Sequence, residues 1–129
     1  MLLARNAPTE AARATIAGLE RLGTRIEVIT CDVTRRDDLG RVLARARAVC
    51  PPLRGVFHAA GVLQDAPLGA QTPASLRAVG APKVQGAWHL DRLTAADPLD
   101  AFVLFSSVTA LFGTPGQGNY AAANAFLDA

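Results

Sequence analysis

Phe102-Val-Leu-Phe-Ser-Ser107, Phe112-Gly-Thr-Pro-Gly-Gln-Gly118 and Tyr120-Ala-Ala-Ala-Asn124 succeed one another near the end of the 129-residue sequence, and this succession decides the fold. The apolar run from Ala101 to Phe105 stops abruptly at two serines, as a buried parallel strand does when its carboxyl end opens into a crevice. Glycine and proline punctuate the loop that follows, and the alanine-rich segment beyond it favours a helix. On that helix Tyr120 and Asn124 are four residues apart and share a face. A strand-end hydroxyl at Ser107, a phenol and an amide would then converge on one spot, suited to polarising and protonating a carbonyl oxygen.

Upstream, the pattern alternates. Met1 to Ala4 read as the end of a short buried strand, with Arg5-Asn-Ala-Pro8 as its exit turn. Thr9 can cap a helix running to Leu22, in which Ala12, Ile16, Leu19 and Leu22 form an apolar face. Ile26, Val28 and Ile29 give a β-branched strand ending at Cys31-Asp-Val33. Thr34 opens a second helix with Leu39, Val42, Leu43, Ala46 and Val49 on one stripe and Pro51-Pro52 beyond it; Leu53 to Ala59 is a third strand. Strands alternating with amphipathic helices imply βαβ crossovers, hence an α/β fold with a doubly wound parallel sheet in one domain spanning residues 1–129.

Ala60 to Asp65 is then a loop at the carboxyl edge of the sheet. Thr72-Pro73 begins a short helical piece ending near Gly80, and Pro82, which cannot continue a helix but can start one, opens another. In this second piece Lys83, Gly86, Leu90 and Leu93 share a stripe, so the lysine is directed at a core. Such an ammonium either has a buried partner or snorkels from the helix start.

Composition excludes several classes of function. Thirteen basic and eleven acidic side chains leave a small positive balance with no basic run, so neither nucleic acid nor membrane is the expected partner. Cys31 and Cys50 lack metal-ligand or disulfide-framework spacing and read as reduced thiols of a cytoplasmic protein. His58 has no ligand cluster around it, so no metal site is expected. Met1 to Ala4, followed at once by Arg5, is too short for a signal peptide. Trp88 reads as a packing residue.

Lys83, Ser107, Tyr120 and Asn124, within Ala81-Pro-Lys-Val-Gln-Gly-Ala87 and Tyr120-Ala-Ala-Ala-Asn-Ala-Phe-Leu-Asp128, resemble the ketoreductase domain of modular polyketide synthases, a short-chain dehydrogenase/reductase relative. Free-standing members of that superfamily carry lysine four residues after the tyrosine. Asn124 stands there in this chain, with the lysine upstream, which points to polyketide and fatty-acid synthases rather than to free-standing reductases of small ketones or sugars.

The resemblance implies a Rossmann-like sheet and reduction of a β-ketoacyl thioester, carried on an acyl carrier protein among other synthase domains, by NADPH. Tyr120 would protonate the carbonyl oxygen, Ser107 would donate a hydrogen bond to it, Lys83 would favour the phenolate of a side chain that ionises near pH 10 when unperturbed, and Asn124 would position the lysine or a water. Arg5 matches the arginine that meets the 2′-phosphate of NADPH. Asp32 and Val33 match adenine-side contacts, and Ala59, Ala60 and Gly61, after His58, the loop beneath ribose and nicotinamide. From the residues alone, Arg5 can also be read as a surface charge, Asp32 as a residue at the start of a helix and Gly61 as a turn glycine. Leu63-Gln64-Asp65, Pro115 and Asn119, with Phe112 where A-type domains carry tryptophan, resemble the B-type pattern, which makes the D-configured hydroxyl; Gln64 departs from its Leu-Asp-Asp motif.

The sequence contains no Gly-rich dinucleotide turn. Against the family, residue 1 falls in the second strand, and the absent first strand would lie between the strands at 1–4 and 53–59. The expectation is an incomplete sheet and a chain with little activity by itself. The competing reading is a non-catalytic piece that serves as packing or docking surface in a multidomain synthase.

Overall fold

The computed structural model describes all 129 residues. Ten elements occur in chain order: β1 (Leu2–Ala4), α1 (Glu10–Arg21), β2 (Val28–Thr30), α2 (Arg36–Val49), β3 (Gly55–His58), a 3-10 turn (Leu68–Ala70), α3 (Pro73–Thr94), β4 (Ala101–Leu104), α4 (Thr109–Phe112) and α5 (Gly118–Asp128). Each strand pair is parallel. β1 pairs with β2 in the register Leu3 opposite Ile29, and β3 with β4 in the register Phe57 opposite Val103. The two pairs are separate two-stranded sheets: no ladder joins β1 to β3, in keeping with the strand expected between them. The alternating pattern therefore reads out as the α/β, Rossmann-like arrangement.

One apolar cluster joins the two sheets. Cys31 after β2, Leu39 and Leu43 of α2, Val56 of β3 and Leu90 of α3 are buried together, and Leu3 of β1 packs against them. Helices α2 and α3 contribute to this cluster. Phe57, by contrast, is 68% exposed, and α1 has no buried residue, so Leu19 and Leu22 of its apolar face stand in solvent. Val49 at the end of α2 is also half exposed, because the α2 stripe meets the cluster through Leu39, Val42 and Leu43, nearer the start of the helix. Trp88 does not pack inward: it is exposed and stacks under the Arg92 guanidinium, 4.5 Å from the ring centroid.

The second helix starts later than its sequence suggests. Thr34 does not cap it; the Thr34 N–H and hydroxyl both donate to Asp32 Oδ1, forming a turn, and α2 starts after Arg35 with no side-chain cap. A larger difference concerns α3, which is one helix of 22 residues and not two pieces broken at Pro82. Its start is as expected, since Thr72 Oγ1 accepts from Ser75 N–H and Ser75 Oγ from Thr72 N–H, a reciprocal cap with Pro73 in the first turn. Pro82 deprives one carbonyl of its intrahelical donor, that of Ala78, an exposed residue that water can reach. Val79, Pro82, Lys83, Gly86, Ala87 and Leu90 are all buried, and their packing offsets the lost bond.

Gly86 sets how closely α3 approaches the strands. A Cβ there would stand 2.9 Å from Val33 Cγ2 and 3.1 Å from His58 Cε1, inside normal contact. Beside it, His89 Nδ1 donates to the Val33 carbonyl at 3.1 Å. Gly86→Ala gains up to ~1 kcal/mol of helix propensity against about 1–3 kcal/mol of overpacking. Overpacking should win, because Val33 and the His58 ring have no free end to swing away. The expected outcome is a lower denaturant midpoint with an unchanged m-value.

Candidate active site

β4 ends at Leu104, and the chain leaves it through Phe105, Ser106 and Ser107. α3 passes alongside, and α5 packs on α3. Three of the four expected catalytic residues come together at this junction. Lys83 is 3% exposed, and its Nζ donates to the Phe105 carbonyl at 2.8 Å. The lysine therefore has a buried partner and does not snorkel. Its Nζ lies 5.5 Å from the Tyr120 ring centroid. Burial lowers the Lys83 pKa from the ordinary lysine value, and the Asp128 carboxylate at the end of α5 opposes this.

Asn124, one turn after Tyr120, is fully buried; its Nδ2 donates to the Tyr120 carbonyl at 2.7 Å. Its Oδ1 is the one buried side-chain polar atom in the protein without a hydrogen-bond partner. A buried acceptor left open is costly unless a ligand or water satisfies it.

Ser107 is not hydrogen-bonded to Tyr120. Its Oγ accepts from the Thr109 hydroxyl at 2.9 Å and the Thr109 N–H at 3.3 Å, which leaves its own hydrogen free to donate. Ser106, the other serine, donates to the Asn124 carbonyl at 3.3 Å and so ties the strand exit to α5. Ser106, Ser107, Val108, Leu111 and Asp128 line an open depression beside these groups.

The expected cofactor residues lie along the carboxyl ends of the strands. Arg5 follows β1 and is exposed. Asp32 follows β2, and the Thr34 N–H holds its carboxyl below the usual range; burial opposes this, while the Thr34 hydroxyl and the positive charges of Arg5 and Arg35 add to it. Val33 is half-buried against Gly86. After β3, Ala59 is exposed, Ala60 half-buried, and a Cβ on Gly61 would stand 3.5 Å from Lys83 Cε, so this loop lies against the lysine. His58 stands just ahead of this loop. It is the last residue of β3, 3% exposed, with Nε2 2.9 Å from the Pro82 carbonyl. Burial pushes the His58 imidazole below the ordinary histidine range, the bond to Pro82 works against that, and the Lys83 charge adds to it.

Asp65 lies in the loop after β3, Pro115 in the loop before α5 and Asn119 in the first turn of α5, and these segments are fastened together. Gln117 Nε2 donates to Asp65 Oδ2 at 3.0 Å, Asn119 Nδ2 to the Gln64 carbonyl at 2.9 Å, and the Ala66 N–H to the Gly116 carbonyl at 2.8 Å. Asn119 Oδ1 also accepts from the Tyr120 N–H at 2.7 Å, so this buried asparagine fixes the start of α5. Sequence reading gave no role to Gln117, Thr109 or the Phe105 carbonyl. The first two are polar residues of a loop and a short helix, and a backbone carbonyl leaves no signal in residue identity.

Residues 1–129 match the family model described as KR domain. Polyketide synthase GfsA of Streptomyces halstedii is 54% identical over 114 residues, which is 88% of this chain and 2% of that protein. A ketoreductase domain from the bacillaene assembly line superposes with a TM-score of 0.94 at 31% identity, over 98% of this chain and 30% of that one. A structure described as A-type ketoreductases from a modular polyketide synthase superposes at 0.88 with 45% identity, over 98% of this chain and 27% of that one. The chain thus spans a small part of each relative. No helix is long and apolar enough to cross a membrane.

The buried His58 gives a pH signature. Its folded pKa lies below the ordinary 6.5, so the unfolded chain takes up the proton first, and stability is lost as pH falls through 6.5. Thermal unfolding should show a midpoint that is flat above about pH 7 and declines from pH 6.5 downward, with the decline reduced in His58→Gln. Asp32 and Asp97, whose carboxyls are held below their ordinary 3.8, add their own loss only at more acidic pH.

Proposed function

The chain belongs to the ketoreductase domain family of modular polyketide synthases, and from that premise we propose that it carries the catalytic residues for NADPH-dependent reduction of a β-ketoacyl thioester on an acyl carrier protein. The product is a β-hydroxyacyl thioester. The observation that carries this reading is the buried Lys83 ammonium, held by the Phe105 carbonyl with its Nζ 5.5 Å from the Tyr120 ring centroid. A desolvated cation at this junction offers electrostatic stabilisation to negative charge that develops in the site during the reaction.

Bound NADPH supplies the hydride that adds to the carbonyl carbon. Arg5 would meet its 2′-phosphate, Asp32 and Val33 its adenine side, and Ala59, Ala60 and Gly61 its ribose and nicotinamide. The open acceptor at Asn124 Oδ1 and the Gly61 loop against Lys83 fit a site that takes a polar ligand. Tyr120 gives its phenolic proton to the carbonyl oxygen as the alkoxide forms. The free Ser107 hydrogen is donated to the same oxygen. Asn124, with its amide nitrogen engaged on α5, offers Oδ1 to a water or the lysine in the relay that returns a proton to Tyr120.

Asp65, Pro115 and Asn119 support the B-type outcome, a D-configured hydroxyl. The 45% identity to A-type ketoreductases supports the opposite configuration as a second reading. Chiral analysis of the product separates them, and Asp65→Ala, which removes the acceptor of Gln117, should erode the configurational preference in either case.

The test of the reaction uses a complete ketoreductase domain bearing this sequence. Tyr120→Phe is expected to lower kcat by about 100- to 10,000-fold, the worth of a positioned general acid, with little change in KM. Retention of wild-type turnover by the phenylalanine variant overturns the assignment. Arg5→Ala should raise KM for NADPH and leave that for NADH unchanged.

A further inference from the structure

We propose that His58 is a positioning residue for Lys83, fixing through the Pro82 carbonyl the turn of α3 from which the ammonium reaches the site. The inference rests on the ketoreductase reading of Lys83 and extends it to a residue outside the proton relay. Three hydrogen bonds form a closed circuit. His58 Nε2 donates to the Pro82 carbonyl at 2.9 Å; the next residue, Lys83, donates from Nζ to the Phe105 carbonyl at 2.8 Å; and the Phe105 N–H donates to the His58 carbonyl at 3.0 Å. His58 thus holds both ends of the lysine's span, with its side chain on the helix where Lys83 originates and its backbone on the residue where Lys83 terminates.

The circuit compensates for a weakness in α3. Pro82 has no N–H, so the ladder lacks one bond in the turn that carries Lys83. An imidazole clamped to the Pro82 carbonyl ties that turn to β3 instead. Its ring is itself confined, since Gly86 leaves room for it and a Cβ there would stand 3.1 Å from Cε1 and 3.3 Å from Nε2. The bond requires the tautomer with hydrogen on Nε2, and the imidazole stays neutral beside the charged lysine.

Two amide variants that differ by one methylene provide the test. The Gln amide nitrogen in His58→Gln reaches roughly where Nε2 stands, whereas the Asn amide in His58→Asn falls short of the Pro82 carbonyl. In a complete ketoreductase domain bearing this sequence, H58Q is expected to keep kcat within about threefold of wild type, and H58N to lose about 10- to 100-fold, the cost of misplacing a catalytic group by an ångström or so. KM for NADPH and for the thioester should hold in both. A parallel readout needs no turnover: the rate of Lys83 acetylation by acetic anhydride, with acetate as leaving group, followed by mass spectrometry, should rise in H58N and stay near wild type in H58Q. Equal kcat in the two variants, or equal Lys83 acylation in the two, overturns the proposal. If the wild-type domain shows no Tyr120-dependent reduction, the ketoreductase reading falls, while the acylation rates still decide whether His58 holds Lys83.

Discussion

A buried ammonium needs an acceptor, and in this chain the carbonyl of Phe105 provides it. Lys83 is almost wholly withdrawn from solvent, and desolvating an isolated charge of this kind costs far more than a small protein's net stability can absorb. The neighbouring structure is arranged around that requirement. β4 must end where it does, so that the Phe105 carbonyl is free of the strand ladder; α3 must run close enough to β3 and β4 for a lysine to span the gap; and α5 must bring Tyr120 to the same place. The ammonium is thus held by a neutral carbonyl, with the Asp128 carboxylate at the end of α5 as the opposite charge that acts on it.

The approach of α3 is governed by small groups. Gly86 removes a Cβ that would strike Val33 and His58, and the imidazoles of His58 and His89 take the carbonyls of Pro82 and Val33 from the two sides. These contacts join the segment after β2 and the end of β3 to one helix. Because no ladder connects the two strand pairs, α3 and the apolar cluster of Cys31, Leu39, Leu43, Val56 and Leu90 are what hold them in common.

The rim of the site follows a different principle. The loop at 64–66 is bound to the turn at 116–117 and the first turn of α5 by one side-chain pair, one side-chain-to-backbone bond and one backbone bond, so they act as a single wall. Asn119 couples that wall directly to the helix of Tyr120 through the Tyr120 N–H. The wall and the first turn of α5 are therefore one hydrogen-bonded unit.

The local pattern of the chain was sufficient for the α/β alternation, the parallel strands, the strand end at Ser106-Ser107 and the shared face of Tyr120 and Asn124, because period-2 and period-3.6 burial and glycine or proline breaks are properties of neighbouring residues. It was sufficient too for Lys83 as a core-directed charge, since the stripe with Gly86, Leu90 and Leu93 is visible in the spacing. It misplaced the break at Pro82, where burial of the flanking turn outweighs a missing hydrogen bond, and it counted Trp88, Val49 and Leu22 as packed when no element covers them. Only the tertiary structure decided that the partner of Lys83 is the Phe105 carbonyl, that His58 grips the Pro82 carbonyl, that Ser107 turns toward Thr109 and that Asn124 keeps an open acceptor. The reason is that these are meetings between residues far apart in the chain, 22 and 24 positions for the first two, or rotamer choices within a packed site. The groups that meet are often backbone carbonyls, which every residue possesses and no sequence pattern distinguishes.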